Sequence, residues 1–166
     1  MPVIRQARSA DLRALTAIYN HYIVHTPITF DVQTYEPDQR RAWFDDHAAT
    51  GRHRLLVADA EGEIVGYAST SRWRPKAAYD TTVESSVYVR HDAVGRGIGR
   101  KLYHALFEAI AAEDVHTVVA GVALPNDASI ALHERFGFGR VGVFREVGLK
   151  FGQFWDVAWF QRSAPR

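Results

Sequence analysis

The chain has 166 residues, of which 47% are hydrophobic and 12% aromatic, with a formal net charge of +1 and no cysteine. This composition predicts one folded domain across residues 1–166 and excludes wholesale disorder, and the near-neutral charge argues against a nucleic-acid partner. Without cysteine there are no disulfides, thiolate metal sites or cysteine nucleophiles, and the lack of a long apolar run predicts a cytoplasmic protein with no membrane segment.

Short apolar segments alternate with helical periodicity in the first part of the chain. A strand is predicted at residues 3–7, and Ser9 is placed to cap a helix whose apolar residues recur at helical spacing. Residues 26–30 are predicted to form a loop, because proline and β-branched residues there stop the helix. A second helix is predicted from residue 37 to residue 51, with Trp43 facing inward.

From residue 55 onward the period of the hydrophobic pattern changes to two residues, which is typical of strands. Strands are predicted at residues 55–60, 64–70, 82–89, 117–122, 138–144 and 153–160. Helices are predicted after the glycines of residues 95–99 and over residues 128–136. Early hairpins followed by alternating strands and helices predict a mixed sheet of the α/β or α+β class with helices on both faces.

Three glycines stand at alternate positions between a predicted strand and a predicted helix. Gly95, Gly97 and Gly99 allow backbone N–H groups to approach a ligand, and a helix N-terminus adds unpaired donors, so a phosphate or pyrophosphate is the expected guest. The spacing matches neither the dinucleotide fingerprint nor the nucleotide triphosphatase loop. A tight turn that needs glycine for steric reasons alone explains the pattern equally well.

Three segments resemble the GCN5-related N-acetyltransferase (GNAT) superfamily, namely ESSVYVR at 84–90, GRGIGR at 95–100 and LPNDASIALHERFGF at 124–138. Within it, the chain is most similar to the phosphinothricin and methionine sulfone/sulfoximine acetyltransferases. The resemblance implies the GNAT fold, a central, mostly antiparallel twisted sheet with a V-shaped opening between two parallel strands. It also implies a homodimer that transfers acetyl from acetyl-CoA, without a metal, to the α-amino group of a small amino-acid analogue, and a role in herbicide resistance.

The resemblance also implies which residues hold the cofactor. Val87, Tyr88 and Val89 are expected beside the pantetheine arm, and Asn126 is expected to contact the cofactor from the next loop. The pyrophosphate is expected on Gly95, Arg96, Gly97, Ile98, Gly99 and Arg100. The chain departs from the family pattern at Val94, where relatives carry glutamine or arginine.

Glu84 and His133 are the candidate catalytic residues. Attack on a thioester needs a neutral amine, so a general base close to the nucleophile helps. Glu84, on the strand face of Ser86 and Tyr88, is either a solvent-facing glutamate or this base, and the resemblance places it where the family has its catalytic glutamate. His133 is either a helix-surface residue or a general acid that protonates the departing thiolate, and it stands where many relatives carry a tyrosine.

The expected acceptor site is basic and aromatic. Arg74 is placed to clamp a carboxylate or phosphinate, although such arginines are usually solvated surface charges. The resemblance implies an acceptor pocket formed by Arg74, Pro75, Lys76, Glu84, Ser85 and Ser86, with walls from Phe30 and Tyr79. The other arginines, Arg5 and Arg40 among them, are interpreted as a compositional habit.

Other functions remain open at this level. His21 and His25 have metal-ligand spacing, but no third ligand is evident, so no metal site is predicted. The enzyme alternatives are acetylation of protein N-termini or of polyamines. The chain could also be a cofactor-binding sensor without turnover, or a nucleotide-binding module.

Overall fold

Seven strands and four α-helices make up residues 1–164, the part of the chain that this computed structural model describes. The strands are β1 Val3–Gln6, β2 Leu55–Ala60, β3 Glu63–Arg72, β4 Thr82–Val89, β5 Thr117–Ala123, β6 Gly139–Lys150 and β7 Gln153–Ser163. The helices are α1 Leu12–His25, α2 Arg41–Asp45, α3 Ile98–Ile110 and α4 Asp127–Arg135. None of these helices has the length and apolar character that crossing a bilayer requires.

The strands form one open sheet in the order β1-β2-β3-β4-β5-β7-β6. Every neighbouring pair is antiparallel except β4 and β5, which run parallel. Their pairing covers only the register from Thr82↔Thr117 to Glu84↔Val119, after which the two strands separate. The prediction of a mostly antiparallel mixed sheet with an opening between two parallel strands is therefore confirmed.

Helices cover both faces of the sheet, as predicted. On one face α3 buries Leu102, Leu106 and Ile110, which are fully enclosed and recur every four residues. On the other face α1 packs Leu15 and Ile18 against β2 and β3. Burial of such aliphatic side chains contributes about 1.5–3 kcal/mol each, which fixes the two layers on either side of β4.

The second helix is much shorter than predicted. The prediction of a helix over residues 37–51 is wrong, since α2 ends at Asp45 and a single 3-10 turn, Pro37–Arg40, precedes it. Two aspartates at its C-terminal end oppose the helix dipole. The ring Nδ1 of His47 then bonds the carbonyl oxygen of Trp43 at 2.7 Å, which ends the backbone ladder.

The last hairpin is longer than predicted. β6 continues from the predicted end at Phe144 to Lys150 across a register shift between Phe144 and Gly148. Within this bulge Glu146 has a φ of +52°, and its N–H donates to Asp156 Oδ1 at 2.7 Å. This hydrogen bond to a side chain replaces the backbone hydrogen bond that the bulge removes, and β6 pairs with β7 again from Gly148 onward.

The outer hairpin of β6 and β7 exposes many apolar side chains. Val141, Phe144, Val147, Leu149, Phe151 and Phe154, together the hairpin patch, are all more than half exposed. An exposed apolar surface at the edge of a sheet is typical of a protein–protein interface.

Candidate active site

The opening beyond the paired part of β4 and β5 forms a groove of about 320 Å³. We call it the cofactor groove, because every residue predicted to hold acetyl-CoA lines it except Arg96. Val94, the residue that departs from the family pattern, also lines it and is 57% exposed.

The glycine turn gives the groove its row of backbone donors. Gly95 and Gly97 have φ values of +82° and +74°, and a Cβ at either position would meet nothing within 4 Å. Glycine is therefore needed there for backbone conformation and not for space. Gly97 is the N-cap of α3, and no side chain caps this helix, so its first N–H groups are available to an anion.

Asn126 serves the neighbouring helix. Its side-chain oxygen accepts a hydrogen bond from the backbone N–H of Ser129 at 3.1 Å and so caps α4 at its N-terminus. The cap holds the start of α4 against the cofactor groove, which Asn126 and Ser129 both line.

Glu84 lies where β4 and β5 begin to separate. It pairs with Val119 as the last residue of β4 in register with β5. Burial raises the pKa of its carboxyl group, and the nearby Arg74 guanidinium offsets part of that rise. A carboxylate with a raised pKa at the apex of the opening has the character of a general base.

A chain of buried hydrogen bonds lies on the opposite face of β4. The hydroxyls of Ser85 and Tyr103 are 3.3 Å apart, and the Tyr103 hydroxyl is 2.9 Å from His133 Nε2. His133 Nδ1 lies 2.7 Å from the carbonyl oxygen of Ser129. Ser85, Tyr103 and His133 line a cavity of about 50 Å³ at the base of the opening, which we call the relay cavity.

The hydrogen bonds determine how His133 is protonated. A carbonyl oxygen only accepts, so Nδ1 carries a proton and donates it to Ser129. Burial lowers the pKa of His133, although the bond to Ser129 offsets part of that effect, and the neutral ring accepts the Tyr103 hydroxyl at Nε2. Both ring nitrogens of His133 are thus hydrogen-bonded, and the polar group that Nε2 contacts is the hydroxyl of Tyr103.

Tyr103 was not among the candidate residues that the sequence pattern indicated. One feature of the sequence could have indicated it: Tyr103 follows the core residue Leu102 on an amphipathic helix, and it is itself fully buried. A buried tyrosine hydroxyl usually has a hydrogen-bond partner, and His133 stands on the next helix along the chain.

The predicted acceptor residues fall into two groups. Arg74, Pro75, Lys76 and Tyr79 are exposed in the loop between β3 and β4, where Trp73 packs edge-on against Tyr79 at 5.1 Å. This loop lies near Glu84, because the Arg74 guanidinium influences that carboxyl group.

Two predicted acceptor residues lie elsewhere. Ser85 points to the relay cavity, away from the face of Glu84 and Ser86, because side chains alternate along a strand. The ring of Phe30 packs directly against Gly148, where a Cβ would lie 2.3 Å from it. Phe30 lines neither the cofactor groove nor the relay cavity.

A further cavity of about 240 Å³ opens on the same face of β4 as Ser86. We call it the acceptor cavity, and it is lined by Tyr19, Asp31, Tyr35, Gln39, Arg40, Trp43, Tyr67, Ser69, Ser71, Ser86 and Tyr88. Of the predicted acceptor residues only Ser86 lines it. Arg40, interpreted from sequence as a compositional charge, is in fact 6% exposed.

The histidines with metal-ligand spacing lie apart from these cavities. His21 and His25 stand side by side on α1, and the ring of His91 stacks on His21 at 4.1 Å. Within residues 1–164 no group of three or more His, Cys, Asp or Glu side chains is arranged to hold a metal ion.

Comparison with known proteins connects this geometry to a chemistry. The family model described as "Acetyltransferase (GNAT) domain" matches residues 4–159. Phosphinothricin N-acetyltransferase of Streptomyces coelicolor is 55% identical over 161 residues, which cover 96% of this chain and 94% of that protein.

Two further similar proteins are also named acetyltransferases. L-methionine sulfoximine/L-methionine sulfone acetyltransferase of Pseudomonas aeruginosa is 42% identical, with 98% of each chain covered. The crystal structure of a GNAT superfamily phosphinothricin acetyltransferase from Sinorhizobium meliloti in complex with AcCoA superimposes with a TM-score of 0.92 at 31% identity. That match covers 99% of this chain and 89% of the other.

Proposed function

The chain belongs to the GNAT acetyltransferase family, and on that premise we propose that it transfers the acetyl group of acetyl-CoA to the α-amino group of a small amino-acid analogue. Phosphinothricin, methionine sulfoximine and methionine sulfone are the proposed acceptors. The position of Glu84 carries the proposal, since this carboxylate lies between the cofactor groove and the basic loop of Arg74.

The cofactor groove fits acetyl-CoA. The pyrophosphate would lie on the uncapped N-terminus of α3, and the exposed guanidinium of Arg100, which lines the groove, would add positive charge. The pantetheine arm would run beside Val87 to Val89, where β4 is no longer paired with β5 and has backbone groups free to bond it. Acetyl-CoA supplies the activated acetyl group.

Glu84 acts as the general base in a ternary complex. The acceptor arrives as an ammonium ion, and Glu84 takes its proton, directly or through one water molecule, so that the amine can attack the thioester. Backbone N–H groups near Val87 stabilise the charge that develops on the thioester oxygen, and one such donor is typically worth about 10²–10³ in rate.

Tyr103 donates to the departing sulfur, and His133 holds it in place. The buried ring of His133 fixes the Tyr103 hydroxyl at 2.9 Å beside the opening. The hydroxyl has one proton, so it turns from His133 Nε2 toward the departing sulfur, stabilises the thiolate by a hydrogen bond and keeps that proton. His133 was predicted to be the general acid itself, and in this proposal it positions the Tyr103 hydroxyl instead.

We expect Tyr103→Phe to lower kcat by about 10- to 100-fold while KM for both substrates changes little, because the hydroxyl acts only as the thiolate departs. Steady-state kinetics check this, and an unchanged melting temperature of the variant separates loss of the hydroxyl from loss of fold. An unchanged kcat, or a change in KM alone, would contradict the role of Tyr103.

The charge of the acceptor side disfavours polyamines. A polyamine requires acidic surroundings, whereas the exposed loop carries Arg74 and Lys76, and Arg40 lines the acceptor cavity. The small, partly enclosed acceptor cavity also suits a small molecule better than a protein N-terminus.

Release of the CoA thiol tests the proposed function. The chain has no cysteine, so a thiol reagent reports the reaction without background from the protein. We expect turnover with phosphinothricin, methionine sulfoximine or methionine sulfone to exceed turnover with unmodified amino acids, polyamines and peptides. Tight binding of acetyl-CoA without turnover across this panel would instead indicate a sensor.

Assembly and cellular role are part of the same proposal. The hairpin patch supports a homodimer, because its apolar side chains are too exposed to be explained by the fold of one chain. Sedimentation at micromolar concentration measures this assembly. Acetylation of phosphinothricin in the cytoplasm would confer the predicted resistance to that herbicide.

A further inference from the structure

A buried arginine lines the acceptor cavity without an ionic partner. Arg40 is 6% exposed, and no carboxylate within the described residues 1–164 lies within 4.0 Å of its guanidinium group. Its carbon Cζ lies 3.9 Å from the ring centre of Trp43 and 4.5 Å from that of Tyr19. A buried charge in this condition is costly unless a ligand or another group compensates it.

The stacking leaves the edge of the guanidinium group available. Its central carbon lies over both aromatic rings, and its N–H groups project outward in the plane of the group. One of them reaches the carbonyl oxygen of Leu15 at 3.3 Å. The remaining donors at the cavity are suited to a planar or tetrahedral anion.

A second donor beside Arg40 also has no partner. The hydroxyl of Tyr67 is buried and makes no hydrogen bond of ordinary geometry within the described part of the chain, although the Arg40 guanidinium faces its oxygen. Burial raises the pKa of this phenol to about 12, and the charge and the N–H groups of Arg40 offset part of the rise. Tyr67 therefore keeps its proton at neutral pH and presents an O–H group next to the arginine.

The sheet register connects these donors to the catalytic carboxylate. Across β3 and β4, Ser71 pairs with Glu84, Ser69 with Ser86, and Tyr67 with Tyr88. Each of these steps spans about 7 Å along the sheet, and the six side chains share one face. The acceptor cavity thus leads from beside Glu84, past two serines, to Tyr67 and Arg40.

The one carboxylate that lines the cavity is already engaged. Asp31 accepts hydrogen bonds from the hydroxyls of Tyr19 and Tyr35, at 2.7 and 3.2 Å. These bonds occupy its oxygen Oδ2, and it lies beyond 4.0 Å from the Arg40 guanidinium, so the donors without a carboxylate partner at the cavity are those of Arg40 and Tyr67.

We propose that Arg40 and Tyr67 bind an anionic group at the far end of the acceptor side chain, such as a phosphinate, phosphonate or carboxylate. The α-amino group would lie beside Ser86, one register step of about 7 Å from Tyr67, where Glu84 acts on it through a water molecule, and the α-carboxylate would point to Arg74. This inference rests on the proposed function and makes it more specific, because it ranks acceptors with a charged side-chain end above neutral ones. Phosphinothricin is then preferred to methionine sulfone, whose side chain ends in a neutral group.

Steady-state kinetics with these two acceptors test the inference. We expect Arg40→Gln to raise KM for phosphinothricin roughly 10- to 100-fold, the worth of a hydrogen bond to a charged group, and KM for methionine sulfone less than threefold. Arg74→Ala is the matched control, since it should raise KM for both acceptors by similar factors. Neither variant should change KM for acetyl-CoA.

Tyr67→Phe provides a test that does not depend on removing a buried charge. It deletes only the unpartnered oxygen, so we expect an unchanged or higher melting temperature together with a KM for phosphinothricin raised about 3- to 10-fold. If Arg40→Gln fails to fold, this variant decides the question. A Tyr67→Phe enzyme with unchanged KM for phosphinothricin, or one that loses both acceptors equally, would overturn the inference.

The two proposals fail in different ways. If the unaltered enzyme acetylates both acceptors but Arg40→Gln affects them equally, the anion subsite is wrong and the proposed function stands. If the unaltered enzyme acetylates no amino-acid analogue, the proposed function is wrong and the subsite with it.

Discussion

Replacement of Glu84 by glutamine is expected to lower kcat/KM for the acceptor by about 10²–10⁴-fold, the usual contribution of a positioned general base. The loss should fall on kcat, because Glu84 acts on the ammonium group and does not line the cofactor groove. KM for acetyl-CoA should be unchanged. Thiol release with varied acceptor at saturating acetyl-CoA measures the loss, and thiol release with varied acetyl-CoA at saturating acceptor measures that KM.

The pH dependence of kcat/KM tests the role of Glu84 as general base more directly than the loss of rate in Glu84→Gln does. Glu84 must be ionised to accept a proton, and burial raises its pKa, so kcat/KM of the unaltered enzyme should rise with pH through that raised pKa. The Gln variant should lack this rise and should depend only on the neutral fraction of the amine, gaining about tenfold per pH unit while the amine remains protonated. An unchanged profile between pH 6 and 9 would show that Glu84 is not the base.

Loss of fold would not explain this result. The folded state binds a proton at Glu84 more tightly than the unfolded state, so the stability linked to this group is present at low pH and is lost as pH rises through the raised pKa. Removing the charge should therefore leave the free energy of unfolding at neutral pH equal or higher. Glu134→Gln, at an exposed position on α4, is the matched control and should retain full activity.

Substitution of Gly97 by aspartate is expected to raise KM for acetyl-CoA about tenfold more than substitution by asparagine. Both side chains tolerate a positive φ better than other residues, and a Cβ at Gly97 meets nothing within 4 Å. The two variants therefore differ mainly by one negative charge at the N-terminus of α3. Repulsion of a nearby pyrophosphate by about 1.4 kcal/mol corresponds to that factor.

The difference between the variants isolates electrostatics from backbone strain. KM for the acceptor should be the same in both, because the glycine turn lies on the cofactor groove and away from the acceptor cavity. The ratio should shrink at high salt, as expected for an exposed charge. Equal KM values for acetyl-CoA in the two variants would mean that the pyrophosphate does not lie on this turn.

Local signals made much of the fold predictable. The period of two in β2 to β5 and the four-residue recurrence in α3 are properties of short segments, and burial of one face enforces them. Predictions failed where a single side-chain contact replaced the backbone ladder. The ring of His47 bonds Trp43 four residues before it at the end of α2, and Asp156 bonds Glu146 across the bulge of β6, but hydrophobic periodicity does not report either contact.

The candidate site shows the same division. The glycine turn and Glu84 could be identified because each belongs to a short sequence motif that resembles the family. The resemblance implied that Ser85 lies along the acceptor pocket with Glu84 and Ser86, whereas the alternation of side chains along β4 places it on the opposite face, beside Tyr103. Tyr103 and Arg40 went unrecognised because their importance depends on residues far away in the chain.

The sequence by itself determined the family, the alternation of strands and helices, the glycine turn and Glu84 as the candidate base. Only the tertiary structure decided that the ring of His133 meets the Tyr103 hydroxyl and that Arg40 is a buried cation with no carboxylate partner among residues 1–164. The physical reason is that the pKa and the pairing of a side chain depend on burial and on the groups that surround it in space. Those surroundings come from distant segments that meet only when the sheet is assembled.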